Sequence, residues 1–260
     1  MPDALVLGVG ISGLAAARAL RREGAAVLLL EAAELPGGTF RSAAAQGFTA
    51  ELGPSTVQES PELRALAEDA GAADRLVPAA AAARRRWIVH RGRLVPLPGS
   101  PPGLVATPLL SWRGKARLAT EPWRRRRRGE DGDESVAAFV RRRLGAEPAA
   151  GLADAMVLGI YAGDPEELAA AYAFPRLAAL EREHGSLFAG MRRGGRLVRR
   201  LVGARGGWQS FAGALAEGLP IETGCRVESV ARAGSGFRVG ARQAGAVRAF
   251  EAPRLVVALP

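Results

Sequence analysis

Three glycines and one acid near the N-terminus have the types and spacing to hold a charged ligand. Gly8, Gly10 and Gly13 read G-x-G-x-x-G, and Glu31 follows about 20 residues on. Gly8 allows a tight turn, and Gly10, lacking a side chain, lets a pyrophosphate approach the backbone. Gly13 lets a helix lie close to a strand. A helix that opens here turns the N–H groups of Ile11 and Ser12, and the positive end of its dipole, toward that pyrophosphate. Glu31 is placed to accept hydrogen bonds from a ribose hydroxyl. An acid there, and not an arginine, argues against a 2′-phosphorylated nucleotide.

The elements that must position these residues are legible around them. Ala4 to Leu7 is a short apolar run, the pattern of a buried parallel strand. Ser12 to Arg22 is rich in helix formers, and Gly24 stops the helix. Val27 to Leu30 is a second buried strand that ends at Glu31. A glycine-rich turn without a ligand is the competing reading. The ordered series of strand, glycines, helix, strand and acid stands against it.

The next stretch continues the pattern. Ala32 follows Glu31; then come Gly37-Gly38, Arg41-Ser42, Gly47-Phe48 and Glu51-Leu52-Gly53-Pro54-Ser55-Thr56. This E-x5-GG-x2-RS…GF-x2-E-x-GPS run resembles the FAD-binding N-terminus of the flavin amine oxidase and protoporphyrinogen oxidase superfamily. The resemblance implies that Gly37 and Gly38 bring backbone to the ribose and pyrophosphate, and that Arg41 faces phosphate. It implies that Gly53, Pro54, Ser55 and Thr56 bring backbone toward the isoalloxazine ring. Taken alone, Gly37-Gly38 and Gly53-Pro54 are ordinary turn chemistry.

Composition narrows the class. The 260 residues can bury a substantial core, with 48% hydrophobic content. The net charge is +10, and Lys115 is the only lysine among the cations. Such charge suits nucleic acid, an anionic membrane surface or an acidic substrate, but an Arg-rich solvated face explains most of it. The densest run, Arg124 to Arg128, lacks interleaved aromatics and is followed by Glu130, Asp131, Asp133 and Glu134. It reads as a solvated loop, and no nucleic-acid partner is expected. The single cysteine, Cys225, excludes an internal disulfide and points to a reducing, cytoplasmic compartment, where it packs as a small apolar residue. No apolar run approaches the roughly 18 residues of a membrane span. The N-terminus does not read as a signal peptide. His90 and His184 have no metal-ligand spacing, so no metal is expected.

Along the rest of the chain, Pro61 to Ala70 reads as an amphipathic helix and Leu76 to Ala83 as an Ala-rich link. Trp87–His90 and Arg93–Pro96 read as a hairpin, and the proline-rich stretch 98–108 as loop. Ser135 to Leu144 is a capped helix, Leu152 to Ile160 a buried apolar segment, and 168–187 largely helical with a break at Pro175. Gly206-Gly207 precedes a helix from Gln209 to Leu219. Four strands follow, opening at Cys225, Gly236, Val247 and Leu255. The order predicts an α/β fold. A Rossmann-like FAD-binding domain (1–75 and 200–260) is interrupted by a mainly helical insertion (76–199) that faces substrate and membrane.

The middle carries a narrower resemblance. Gly159-Ile160-Tyr161-Ala162-Gly163-Asp164 leads to Phe174-Pro175-Arg176-Leu177 and then to His184-Gly185-Ser186-Leu187. This resembles the protoporphyrinogen and coproporphyrinogen oxidases of haem biosynthesis. Gly206-Gly207-Trp208 and Cys225-Arg226-Val227 fit the same family. The resemblance implies FAD as cofactor, a tetrapyrrole substrate and oxygen as electron acceptor. It also implies a helical domain that touches the inner membrane surface in some members. Arg86 would meet a propionate, Trp87 would flank the macrocycle, Gly159 would lie beside the substrate, and the Val227 backbone would meet the adenine end. Arg86 is otherwise one more surface arginine, Val227 a plain strand residue and Tyr161 a core aromatic. No residue pattern in the sequence marks a protein general base, and no catalytic residue is assigned. In relatives the strand ending at Leu259-Pro260 leads into further chain, so the sequence is expected to be a fragment or truncation; the alternatives are a non-catalytic flavin-binding fragment or another flavin amine oxidase-like oxidoreductase. Oligomeric state is not legible.

Overall fold

A computed structural model describes residues 1–98, 101–124, 133–193 and 200–259. The chain divides into two compact units, Met1–Ala80 with Arg199–Pro260, and Ala81–Val198.

The first unit is built on a parallel sheet. β1 (Ala4–Leu7) lies between β2 (Val27–Leu30) and the strand Arg254–Val257, and Ile221–Glu222 extends the sheet beyond β2. All four β1 residues are buried, as expected of a strand covered on both faces. α1 (Ile11–Arg22) crosses from β1 to β2, which makes the βαβ unit. Its Leu14 and Ala17 are buried in one core with Val6, Leu29, Trp208 and Phe211. The opposite sheet face, with Leu5, Leu7 and Leu30, joins a second core. That core is built on the antiparallel meander Cys225–Ala233, Gly236–Gln243 and Ala246–Ala252. The expected α/β, Rossmann-like class is the observed one.

Two pieces of this unit differ from the sequence reading. Leu76–Pro78 is not a link but a strand. It pairs with Leu201–Ala204, which also pairs with Val57–Gln58. Strands of two to four residues are too short to show alternation, so neither periodicity nor length marks them. Ser42–Ala45 and Phe48–Glu51 form a hairpin whose turn residues, Gln46 and Gly47, both have positive φ. Its alanines gave no strand signal.

The second unit is mainly helical. The helices Val136–Arg143, Asp154–Tyr161 and Pro175–His184 share a core that includes Phe139, Val157 and Leu180. Ser135 caps the first of these through Ala138 N–H. The hairpin Trp87–His90/Arg93–Pro96 has the expected register, with Arg91 and Gly92 at positive φ. The proline-rich stretch is not all loop, because Pro101–Ala106 is helical. Prolines suit a first helical turn, where their missing N–H is no loss. The helical stretch 168–187 is interrupted at Pro175 as expected: one helix ends at Ala173, Phe174 leaves the helical conformation, and Pro175 opens the next helix. The segment 152–160 is only partly buried. Val157 is enclosed, but Leu158 and Ile160 are exposed. Tyr161 is half exposed, edge-on to Phe174, and is not a core aromatic. Of the run Arg124 to Arg128, only Arg124 lies within the described residues. No described helix is long and apolar enough to cross a membrane.

Candidate dinucleotide cradle

The glycine loop leaves β1 at Gly8, whose φ of 91° is the left-handed conformation a side chain resists. Gly13 lies against this turn, and a Cβ there would overlap the Gly8 carbonyl oxygen. These two glycines are required by the chain's own packing. Gly10 is different. A Cβ on it would meet nothing nearer than the Gly38 Cα, at 3.9 Å. Its lack of a side chain is not demanded by the fold, which is the pattern expected where a ligand must reach the backbone.

Gly10 is the N-cap of α1 and offers no side-chain cap. The first N–H groups of the helix therefore need an acceptor from outside the helix. Gly37 N–H donates to the Val9 carbonyl at 2.8 Å, so Gly37-Gly38 closes over the glycine loop. Gly38 packs so tightly that a Cβ would come within 3.0 Å of the Gly10 Cα.

The Glu31 carboxylate faces this loop. Oε2 accepts the Val9 N–H at 2.7 Å, and Oε1 accepts the Ala33 N–H at 2.9 Å. Its main chain is pinned as well: its N–H donates to the Glu222 carbonyl, and its carbonyl accepts the Cys225 N–H. The strand opening at Cys225, with Val227 two residues on, thus starts beside Glu31. Each carboxylate oxygen retains a lone pair after these bonds, so the group can still accept from a ribose hydroxyl.

Around the loop, Arg41 is exposed, and its carbonyl accepts the Leu52 N–H. Gly53 packs on Thr39, whose carbonyl a Cβ at 53 would overlap. Gly8, Gly10, Ile11, Ser12, Gly13, Glu31, Ala32, Gly37 and Gly38 thus gather at one end of the parallel sheet. Arg41 and Gly53 join through the chain after Gly38. This cradle fits a dinucleotide: an uncapped helix start, an open glycine and a fixed acid converge. Arg86 and Trp87 lie at the start of the hairpin of the second unit, and both are exposed. Gly159 lies on an exposed part of its helix, with open space where a Cβ would be. The described residues contain no cluster that would hold a metal ion.

Sequence reasoning missed Ser42 and Glu51 as an organising pair. The Ser42 hydroxyl donates to Glu51 at 2.5 Å, and both meet the start of the helix Trp208–Ala216. That helix begins one residue before Gln209 and ends before Leu219. Gly206-Gly207 does precede it. The signal available was the pairing of a serine and an acid across a short hairpin.

Comparison with known proteins bears on the whole arrangement. The chain is 38% identical over 192 residues to a chloroplastic protoporphyrinogen oxidase of Oryza sativa subsp. japonica. The match covers 72% of this chain and 36% of that protein. It is 36% identical over 216 residues to the coproporphyrinogen III oxidase of Propionibacterium freudenreichii subsp. freudenreichii, covering 76% and 40%. The chain thus spans about two fifths of the length of such relatives. Its structure superposes, with a TM-score of 0.80 and 26% identity, on a chain from Exiguobacterium sp. 255-15 whose protoporphyrinogen oxidase name is provisional. That match covers 99% of this chain and 59% of the other. The family model described as flavin containing amine oxidoreductase matches residues 11–260, and this chain belongs to that family.

Proposed function

We propose that the chain binds FAD in the cradle between Gly8 and Glu31, and that it serves the oxidation of a porphyrinogen to a porphyrin with oxygen as electron acceptor, a step of haem biosynthesis. The observation that carries the binding step is the apposition of Gly10 and Gly38 beside the anchored Glu31. The names of the similar relatives support the porphyrinogen.

A bound flavin would supply the two-electron redox chemistry. The chain's own residues bind and orient. The N–H groups at Ile11, Ser12 and Gly13 would hold the pyrophosphate, with Gly37 and Gly38 closing over it. Glu31 would accept from the ribose, with Ala32 beside it. Arg41 would face phosphate, Gly53 to Thr56 the ring, and the Val227 backbone the adenine. In the second unit Arg86 would pair with a propionate as a charge-assisted fork, Trp87 would stack on the macrocycle, and Gly159 would leave room for it. Exposed Trp112 and Trp123, with the Lys115 ammonium 4.8 Å from the Trp112 ring centre, suit contact with a membrane surface.

The experiment is reconstitution with FAD followed by incubation with a porphyrinogen. Protein-bound flavin and rising porphyrin fluorescence are expected. Protein that retains no flavin contradicts the binding step.

A further inference from the structure

We infer that Glu51, bridged by Ser42, is a positioning residue that holds the cofactor-facing loop 36–56 in place. The inference rests on the FAD reading above. It starts from the register of the hairpin, in which Ser42 and Glu51 are the terminal pair. Arg41 immediately precedes this pair, and Leu52-Gly53 immediately follows it. The pair is closed by the Leu52 N–H donating to the Arg41 carbonyl at 2.8 Å.

The same pair is bolted to the helix Trp208–Ala216. Glu51 Oε1 and Oε2 accept the Trp208 N–H at 3.3 and 3.4 Å, and Ser42 Oγ accepts the Gln209 N–H at 3.1 Å. The hydroxyl proton of Ser42 goes to Glu51 Oε2 at 2.5 Å. The helix has no side-chain cap of its own, because its N-cap is Gly207. Two side chains from another element therefore satisfy its first donors and bring negative charge to the positive end of its dipole. Gly207 is forced by this arrangement: a Cβ there would lie 2.5 Å from Ser42 Oγ, and its φ is 87°.

Three further pins run from the same helix to the same loop. Gln209 Nε2 donates to the Pro36 carbonyl at 2.7 Å. A Cβ on Gly37 would lie 3.0 Å from that of Ala212. Phe40 packs on Trp208 with ring centres 4.6 Å apart. The buried helix thus fixes the loop at residues 36, 37, 40, 42 and 51. Between and beside these pins lie Gly38, Arg41 and Gly53, the positions given to the cofactor. The Glu51 carboxylate bonds to the Ser42 hydroxyl and the Trp208 N–H, so it would act on the cofactor through Arg41 and the 52–56 backbone.

The test compares FAD affinity, by quenching of flavin fluorescence, in the unaltered chain and in Glu51→Ala, Glu51→Gln and Ser42→Ala. The expected result is a roughly tenfold weaker dissociation constant for Glu51→Ala. Glu51→Gln, whose amide oxygen still accepts, should stay within about threefold. The visible band of the bound flavin should shift in Glu51→Ala, because the 53–56 backbone moves. A purely structural role would change thermal stability without touching affinity or band, and that result overturns the inference. If the unaltered chain binds FAD and Glu51→Ala binds equally well, only this inference fails. If the unaltered chain binds none, the FAD reading fails first, and the positioning role falls with it. Should Glu51→Ala not fold, Ser42→Ala with amide hydrogen exchange decides. Faster exchange confined to the hairpin and residues 208–211 supports the role, and unchanged exchange there contradicts it.

Discussion

Glu31 reaches back across 22 residues to accept the Val9 N–H at 2.7 Å, from the end of one parallel strand to the loop after the next. The bond does two things. It fixes the carboxylate facing the glycine loop, and it satisfies a backbone donor that the turn at Gly8 leaves free. An acid held in one orientation by the chain itself loses less entropy on meeting a ligand.

Glycines 10 and 13 should therefore respond differently to the same substitution. Gly13→Ala places a methyl onto the Gly8 carbonyl and should lower both stability and flavin affinity. Overpacking of this kind costs about 1–3 kcal/mol. Gly10→Ala would meet only the Gly38 Cα, at an ordinary contact distance of 3.9 Å. It should leave the melting temperature within a few degrees and still abolish flavin binding. Parallel thermal melts and flavin titrations separate the two.

The second unit contains a buried ion pair whose loss should be costly. Arg143 and Glu121 are both fully enclosed and paired. Glu121 also accepts from the Ser186 hydroxyl and from the Leu187 N–H. Arg143→Met would strand a buried carboxylate and should destabilise by about 3–5 kcal/mol. Urea unfolding measures this.

The same group sets an acid limit. Burial pushes the Glu121 carboxyl up. The hydrogen bonds from Ser186, Leu187, Arg143 and Phe188 outweigh it and leave the group below the ordinary range. With the folded value depressed, the unfolded chain binds the proton first. The contribution is complete above the unfolded value of about 4.3 and is lost as pH falls below it. Glu121→Gln should flatten that part of the stability–pH curve.

Cys225 is buried at the first position of its strand, and burial raises its thiol above the ordinary value. Ellman's reagent at pH 8 should leave it unmodified in the folded chain and titrate it fully in guanidinium. Rapid modification of the native protein would contradict this.

If Arg86 meets a propionate, Arg86→Ala should weaken porphyrin binding, read by quenching of tryptophan fluorescence, by about tenfold, the worth of a charge-assisted bond. Flavin affinity should be unchanged, because Arg86 is assigned to the propionate and not to the flavin. Equal loss of both would place Arg86 in a structural role.

The sequence carried the glycine loop, β1, β2 and the meander because apolar runs and turn glycines dominate there. It carried Ser135 as a cap for the same kind of local reason. It did not carry the strands Leu76–Pro78 and Leu201–Ala204, whose pairing is distant along the chain and whose length is below any period. Nor did it carry the Ser42–Glu51 pair, which is defined by a helix more than 150 residues away. Local chemistry is legible in one dimension, and partners brought by topology are not.

If Glu31 anchors a dinucleotide, titration of FAD into the unaltered chain and into Glu31→Ala and Glu31→Gln shows it. Removing a charge-assisted hydrogen bond costs about 1.5–3 kcal/mol, or roughly tenfold to a little over a hundredfold in dissociation constant. That loss is expected for Glu31→Ala and a smaller one for Glu31→Gln, whose amide oxygen still accepts. Identical affinity in all three chains would contradict it.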